Sequence, residues 1–313
     1  MNDVLYYAGA DIGGTSVKLG LYEKGSDTEE IIDKWEIPTD ISDNGEHILT
    51  DITASIRDVC ARKAIEYSKI SGIGICVPGP VDTDGIVHEC VNLGWKSVNI
   101  CKELKELSGI PYIVAGNDAN VAALGEMWKG GGKGFDSLIM VTLGTGVGGG
   151  VIIDGKIHSG SIGAAGEIGH MTVNPKETKV CNCGSKGCLE QYSSATGIVR
   201  IARNIMNISE GEVITAKTVF DMAKDGDVLA DEAVNMAAEY LGIALSSIAC
   251  VTDPQVFVIG GGVSGAGKFL LDKIEKYYNI YSMNTLKNKE FRIATLGNDA
   301  GLYGCIKMVI DNA

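Results

Sequence analysis

Residues 4–23 read VLYYAGADIGGTSVKLGLYE, and residues 137–153 read SLIMVTLGTGVGGGVII. In both stretches an apolar run of strand length ends in a glycine-rich turn, and a second apolar run follows at once. Two strand–turn–strand units of the same design predict two α/β lobes that face a shared ligand. We therefore expect the active site in a cleft between the two lobes.

The rest of the chain alternates apolar strands with amphipathic helices, which is typical of an α/β protein. We expect a small lobe over residues 1–117, a large lobe over 118–296, and a C-terminal helix over 297–313 that packs on the small lobe. Further strands are predicted at 31–37, 72–77, 111–115, 255–259 and 291–296, with a hairpin arm at 87–92. Helices are predicted at 46–69, 98–108, from 118, at 196–207, 218–224, 229–250, 266–280 and from 299.

The composition is that of a folded, acidic protein. The 313 residues are 45% hydrophobic and 21% charged, so the chain can bury a large core. A net charge of −13 argues against nucleic acid or an anionic membrane as the main partner. We expect no apolar run long enough to span a bilayer, and residues 1–10 show no signal-peptide pattern. These features predict a cytoplasmic protein.

The two glycine-rich turns are candidate phosphate-binding sites. Consecutive glycines let main-chain N–H groups converge on phosphate oxygens without obstruction by a Cβ atom, and a threonine hydroxyl adds a donor. Asp11, which precedes the first turn, could hold the metal ion that accompanies the phosphates. The alternative is that these are glycine hairpins that serve only close packing, an explanation that weakens because the pattern occurs twice.

Two further glycine patterns resemble nucleotide-binding motifs but lack a feature that each motif requires. The spacing of Gly144, Gly146 and Gly149 matches a dinucleotide fingerprint, but an apolar strand follows it where a helix is needed. The run from Gly262 to Lys268 resembles a Walker A loop, but Phe269 stands where the magnesium-binding Ser or Thr belongs. We interpret 260–262 instead as a turn at a strand end, where adenine or ribose can lie against bare backbone.

Asn117-Asp118 stands at a predicted strand-to-helix junction. A carboxylate there is at the carboxyl end of a strand, where ligand clefts of α/β proteins open. Asp118 could orient and deprotonate an attacking hydroxyl in phosphoryl transfer, with Asn117 as a neighbouring amide. The alternative is an ordinary helix N-cap.

The cysteines divide into two groups. Cys181, Cys183 and Cys188, with His170 upstream, form the ligand set of a closed tetrahedral zinc site. In a reducing compartment such closely spaced thiols are expected to bind metal rather than pair, the alternative being surface thiols. The other six are predicted to be reduced, buried side chains: Cys60, Cys76, Cys90, Cys101, Cys250 and Cys305.

Glu167 and Glu190 flank this cluster in sequence, and a zinc ion that anchors His170 to the cysteine loop would bring them close together. Two carboxylates beside an imidazole suit hydrogen bonds to several hydroxyls of a sugar. Taken singly, a glutamate of this kind is more often a solvated surface charge.

Together these motifs identify a resemblance to the ROK (repressor, ORF, kinase) family of sugar kinases, from residue 8 to residue 305. It rests on the glycine turns at 11–15 and 143–150 and on the motifs at 77–82, 92–95, 116–126, 166–170 and 181–190. The motifs GEIGH at 166–170 and CNCGSKGCLE at 181–190 are the most specific to the family.

The resemblance implies an actin-like (RNase H-like) fold with two lobes around a central cleft. It implies that Asp118 is the general base and that zinc binds His170, Cys181, Cys183 and Cys188 to order the sugar-binding loop. Implied sugar-binding residues are Gly79, Asn92, Asn117, Asp118, Glu167, His170 and Glu190. Implied contacts to ATP and Mg²⁺ are Asp11, Gly13, Gly14, Thr15, Lys18, Gly144, Thr145, Gly146, Gly261 and Gly262.

The implied reaction is transfer of phosphate from ATP to the 6-hydroxyl of glucose, by a homodimer. Kinases in the family that act on N-acetylmannosamine, N-acetylglucosamine or fructose share nearly all these residues, so another hexose stays open. A sugar-sensing repressor is the alternative from another class. It is disfavoured because the first strand begins near residue 4, which leaves no room for a DNA-binding helix-turn-helix before it.

Overall fold

The computed structural model describes residues 4–25, 28–209 and 211–313. The strands are β1 (Leu5–Ile12), β2 (Ser16–Lys24), β3 (Glu29–Pro38), β4 (Ile70–Val77), β5 (Ile86–Val87), β6 (Val98–Asn99), β7 (Tyr112–Asn117), β8 (Leu138–Leu143), β9 (Val147–Ile153), β10 (Lys156–Ile157), β11 (Val256–Gly260) and β12 (Glu290–Ile293). The helices are α1 (Ile48–Arg62), α2 (Ile100–Ser108), α3 (Asp118–Lys129), α4 (Glu190–Ser193), α5 (Ala195–Met206), α6 (Ala216–Lys224), α7 (Val228–Thr252), α8 (Lys268–Tyr281) and α9 (Ala300–Asn312).

Two five-stranded sheets share one strand order. The first runs β3-β2-β1-β4-β7 and the second β10-β9-β8-β11-β12. In each, an antiparallel pair, β1–β2 or β8–β9, is joined by a glycine-rich turn, and two further strands add in parallel. The repeated order confirms the repeated design predicted from the two glycine-rich stretches.

The first compact unit comprises residues 1–133, 156–165 and 298–313. One face of its sheet packs on α1, where Ile52 and Ile56 meet the alternating side chains Ala8, Ala10 and Ile12 of β1. The other face is covered by α9. A Cβ atom on Gly74 would lie 1.9 Å from the carbonyl oxygen of Cys305, so glycine is needed for this close approach.

The division of the chain differs from the predicted one, because the first unit extends to residue 133 and includes α3. Two reciprocal glycine contacts hold α3 against α9. A Cβ on Gly125 would lie 2.1 Å from the oxygen of Ala300, and one on Gly304 would lie 1.8 Å from the oxygen of Val121. Because the two helices pack this closely, α3 belongs to the same compact unit as α9.

The second unit comprises residues 134–155 and 166–297. Its core joins β8, β9 and β11 to α5, α6, α7 and α8. Phe257 stacks on Phe291 at 5.0 Å and meets Tyr278 edge-on at 5.3 Å, which packs the sheet against α8.

Helix α7 corrects one expectation. It is 25 residues long, and its length and apolar composition are sufficient to cross a membrane, contrary to the prediction that no apolar run is long enough. However, 56% of its most apolar stretch is buried within the protein, as in a core helix. Cys250, near its end, is exposed and not buried as predicted, because it lies on the outer face of the helix.

Two other local predictions were wrong. The helix predicted at 46–69 ends at Arg62, because Ala64 adopts a left-handed conformation (φ 55°). The predicted hairpin arm at 87–92 reduces to β5, which pairs with β6, and residues 91–93 form a 3₁₀ turn.

Candidate functional site

The first glycine turn connects β1 to β2. Gly13 N donates to Ser16 O at 2.9 Å, which closes the turn. Thr39 fixes it from behind, because its hydroxyl donates to Gly13 O at 2.7 Å and its N–H donates to Thr15 O at 3.0 Å. Gly14 has open space where a Cβ would stand. The turn is therefore rigid on one side and accessible on the other, as a phosphate-binding turn must be.

Asp11 lies beside this turn in a largely enclosed position. Cys76 Sγ donates to its Oδ1 at 3.2 Å, and a Cβ on Gly301 would lie 2.7 Å from its Oδ2. Burial raises the pKa of Asp11, and the Cys76 hydrogen bond and the charge of Lys18 oppose this in part. Lys18 pairs with Asp11 across the hairpin and donates to Asn298 O at 3.0 Å. A hard cation would suit this carboxylate.

Asn117, and not Asp118, caps helix α3. Its Oδ1 accepts from Ala119 N at 3.0 Å and Asn120 N at 3.2 Å. Its Nδ2 donates to Gly79 O at 3.1 Å and to Asp118 Oδ1 at 3.0 Å. The capping alternative considered for Asp118 therefore applies to its neighbour. The amide of Asn117 is used within the protein to hold Asp118 in place.

Asp118 is the first residue of α3 and is half-buried. Its Oδ1 also accepts from Ala119 N at 2.8 Å. A carboxylate fixed by two hydrogen bonds at the carboxyl end of a parallel strand has the position expected of a general base.

Gly79 and Asn92 lie on adjacent loops of the first unit. A Cβ on Gly79 would approach the oxygen of Glu89 to 3.0 Å, and Cys90 Sγ donates to Pro78 O at 3.0 Å. Asn92 is exposed in the 3₁₀ turn that follows. The structure thus joins Gly79 to Asn117 directly, while Asn92 lies on the neighbouring loop.

His170, Cys181, Cys183 and Cys188 come together in the second unit. Their ligand atoms all lie within 4.8 Å of one another. Cys183 Sγ is 3.6 Å from Cys188 Sγ, and Cys181 Sγ is 3.9 Å from His170 Nδ1. Tetrahedral ligands with metal–sulfur bonds near 2.3 Å are separated by about 3.8 Å, so these four residues fit a zinc ion.

The thiols of this cluster differ in acidity. The backbone hydrogen bond from Ser185, together with the neighbouring thiols, lowers the pKa of the exposed Cys183 to about 7. Burial, with hydrogen bonds to the neighbouring thiols, raises the pKa of Cys188 to about 12. One ligand is therefore ready to bind as a thiolate at neutral pH, whereas the other requires the metal to displace its proton.

Glu167 lies next to the cluster. Its Oε2 is 3.9 Å from His170 Nε2, while Nδ1 of the same ring faces Cys181. The imidazole can therefore ligate a metal through one nitrogen and meet a polar group through the other. The Glu167 side chain is 54% exposed and so accessible to a ligand.

Glu190 lies at the second glycine turn. Its Oε2 accepts from Val147 N at 3.1 Å, at the start of β9. A Cβ on Gly169, in the turn that follows Glu167, would lie 2.1 Å from Val147 O. Val147 thus lies against both Glu190 and the turn that follows Glu167.

A cavity of about 570 Å³ opens beside the second glycine turn, which is the size of a small-molecule site. Gly144 and Thr145 line one side, and Gly262 from the strand-end turn lines another. Gly261 adopts φ 81° and lies so close to Leu143 that a Cβ would clash at 2.5 Å. The strand-end turn proposed for adenine or ribose thus borders a cavity.

A further wall of the cavity comes from helix α6 and the residue before it. The lining residues there are Thr215, Ala216, Lys217, Phe220, Asp221 and Lys224. These residues were not predicted as a binding surface, because Ala216 and Phe220 match the pattern of an ordinary core-facing helix.

Known proteins resemble this chain over nearly its whole length. A glucokinase of Halalkalibacterium halodurans is 43% identical over 96% of this chain and 93% of its own length. An N-acetyl-D-glucosamine kinase of Haemophilus influenzae is 30% identical over 97% and 99%. A ROK family glucokinase from Streptomyces griseus, solved with glucose and AMPPNP, is 31% identical, with a TM-score of 0.73 over 98% of this chain and 99% of that one.

The model of the ROK family matches residues 7–312. That range contains both glycine turns, Asp118 and the cysteine cluster. The chain belongs to the ROK family.

Proposed function

We propose that this protein is a glucokinase, which transfers the γ-phosphoryl group of ATP to the 6-hydroxyl of glucose and so supplies glucose 6-phosphate to glycolysis. The observation that carries the proposal is the 43% identity, across 96% of the chain, to a glucokinase.

Asp118 is the general base. Phosphoryl transfer needs little covalent help from the protein, so a carboxylate that orients and deprotonates the attacking hydroxyl supplies most of what is required. Asn117 supports this role because its amide donates to Asp118 Oδ1 at 3.0 Å while its carbonyl caps the helix. We assign Asn117 to positioning the base as well as to the sugar site.

The two glycine turns bind the ATP phosphates, and Asp11 holds Mg²⁺, which neutralises phosphate charge when bound. Lys18 stands across the hairpin from Asp11 and adds positive charge there. The cavity between the second turn and α6 takes the adenosine, with Gly262 and Ala216 as its walls.

Glu167, His170 and Glu190 bind hydroxyls of the sugar, with Gly79 and Asn92 as further contacts. Zinc on the four-residue cluster orders the segment from 167 to 190 and takes no part in the chemistry. We expect the enzyme to act in the cytoplasm as a homodimer.

A kinase for an N-acetylhexosamine is the second candidate. It is favoured by the 30% identity to the N-acetyl-D-glucosamine kinase, which covers 97% of the chain. The fold, the zinc site and the role of Asp118 would be the same in that case.

A panel of sugars with Mg²⁺ and ATP separates the two. We expect kcat/KM for glucose to exceed the values for mannose, fructose, N-acetylglucosamine and N-acetylmannosamine by at least about tenfold, because each altered contact is worth 1–3 kcal/mol. A preference for an N-acetylated sugar would reassign the substrate. Parallel assays with ADP and with polyphosphate identify the phosphoryl donor.

A further inference from the structure

Glu190 contacts the second glycine turn more closely than a sugar-binding role requires. Its Oε2 accepts from Val147 N at 3.1 Å. A Cβ atom on Gly146 would lie only 2.2 Å from the same oxygen, so a side chain there would collide with the carboxylate. The carboxylate therefore lies directly against the turn.

The segment that follows Glu190 holds the rest of the turn. Ala195 N donates to Gly144 O at 2.8 Å, and Thr196 Oγ1 donates to Thr145 O at 2.9 Å. Ser194 Oγ in turn donates to Glu190 O at 2.6 Å, which links the two ends of the segment. Every residue of the turn from Gly144 to Gly146 thus contacts a residue between 190 and 196.

The start of this segment is set by the cysteine cluster. Glu190 follows Cys188 by two positions, and Leu189 N donates to Met171 O at 2.9 Å, beside His170. Cys188 N also donates to Gln191 Oε1 at 3.0 Å. The cluster, Glu190 and the turn are therefore one continuous hydrogen-bonded structure within the second unit.

The two oxygens of Glu190 have different surroundings. Oε2 is engaged by the turn, whereas Oε1 has no hydrogen-bond partner within residues 4–25, 28–209 and 211–313. We propose that Glu190 is a positioning residue for the nucleotide: its Oε2 fixes the turn that holds the phosphates, and its Oε1 is left to meet a sugar hydroxyl. One carboxylate then serves both substrates. This rests on the proposed function for the identity of the two ligands.

The role depends on an acceptor at Val147 N and not on the negative charge. Glu190→Gln keeps an oxygen that can accept this hydrogen bond, whereas Glu190→Ala removes it and frees the turn. Glu167→Ala is the matched control, because Glu167 is also assigned to the sugar but makes no contact with the turn among the described residues.

The test is the affinity for AMP-PNP with Mg²⁺, measured by calorimetry in the absence of sugar. We expect Glu190→Ala to weaken binding by about tenfold, because the turn loses the hydrogen bond that fixes Val147 N. Glu190→Gln should stay within about twofold of the wild type, and Glu167→Ala should match it while losing sugar affinity. Wild-type affinity in Glu190→Ala, or an equal loss in Glu167→Ala, overturns the proposal.

Gly146→Ala gives a second measurement should Glu190→Ala fail to fold. Its methyl group would displace Oε2, so affinity for AMP-PNP and for glucose should fall together, and unchanged affinity for AMP-PNP would overturn the proposal. A wild-type protein that does not bind AMP-PNP also overturns it. One that binds AMP-PNP but phosphorylates no sugar contradicts only the proposed function.

Discussion

The two sheets of this protein share a strand order, but different side chains surround their glycine turns. The first turn has its own charges, because Asp11 and Lys18 face each other at the end of the β1–β2 hairpin. The equivalent pair in β8–β9 is Thr142 and Gly148, which carry no charge. The second turn is instead held by Glu190, from a distant segment. The repeated scaffold thus supplies a glycine turn at the equivalent place in each sheet, and the residues around each turn differ.

The last strands of the two sheets differ in the same way. Strand β7 leads into Asn117 and Asp118, whereas β12, its equivalent, leads into Ala294 and Thr295. Ala294 only extends the ladder, since its N–H donates to Ile259 O at 2.9 Å. A candidate base therefore stands at the end of one sheet only.

Asp118→Asn should have the largest effect. Without a base for the sugar hydroxyl we expect kcat to fall by about 10²–10⁴-fold, while the dissociation constant for glucose changes little. Steady-state kinetics and calorimetry measure the two quantities. Asp84→Asn, at an exposed aspartate of the same unit, should behave as the wild type. Near-normal turnover in Asp118→Asn would show that the base assignment is wrong.

Removal of zinc should impair the second turn through Glu190. Chelation should weaken binding of both glucose and AMP-PNP by about tenfold, because Glu190 is then no longer held against the turn, and added Zn²⁺ should restore both. Cys183→Ser should reproduce the loss, and Cys250→Ser should retain zinc, since both cysteines are exposed but only Cys183 lies in the cluster. Metal analysis of each variant is the accompanying control. Unchanged affinities in zinc-free protein would contradict this prediction.

Asp11→Asn, at the first turn, should increase the Mg²⁺ requirement for activity but raise the stability of the folded protein at pH 7. Loss of the carboxylate should raise the Mg²⁺ concentration needed for half-maximal activity by about 10–100-fold. Burial raises the pKa of Asp11, so between its unfolded and folded pKa values the folded state binds the extra proton. Stability therefore falls as pH rises through that window, and the ionised group is a cost at pH 7.

The variant should consequently have a higher Tm than the wild type at pH 7. The difference should shrink as the pH is lowered and Asp11 becomes protonated. Thermal unfolding of both proteins across the acid range measures this. A lower Tm for Asp11→Asn at pH 7 would contradict it.

Cys76→Ala should have the smallest effect of the four. It removes the hydrogen bond to Asp11 Oδ1, worth about 0.5–1.5 kcal/mol, so the Mg²⁺ requirement should rise by roughly two- to tenfold. Cys76→Ser should behave more like the wild type because it keeps a donor. Cys60→Ala is the matched control, since that buried thiol of the same unit lies near Arg57 and not near Asp11. Equal effects in the two alanine variants would indicate a packing defect instead.

Local patterns were sufficient to predict two α/β lobes of repeated design and the cysteine cluster, and the family resemblance implied the actin-like fold. Apolar runs broken by glycine are short-range signals, and three cysteines within eight residues are a ligand set on their own. The association of α3 with the first unit was not predictable, because it depends on Gly125 and Gly304 meeting across 179 positions of sequence. The early end of α1 depends on a left-handed Ala64, for which alanine gives no signal.

The site was predictable in its residue types but not in its connections. Asn117 was expected to offer an amide to the sugar, and the structure shows the same amide capping α3 and holding Asp118. The contact of Glu190 with Val147 spans 43 positions and has no pattern in the sequence. Helix α6 lines the cavity with side chains that match an ordinary core helix.

The most direct test of the central claim is the product formed from glucose and ATP with Mg²⁺, identified by NMR. We predict glucose 6-phosphate and ADP in equal amounts, and no sugar phosphate when Mg²⁺ is omitted. ADP formation without sugar phosphate, or phosphorylation of a hydroxyl other than the one at position 6, would contradict the account.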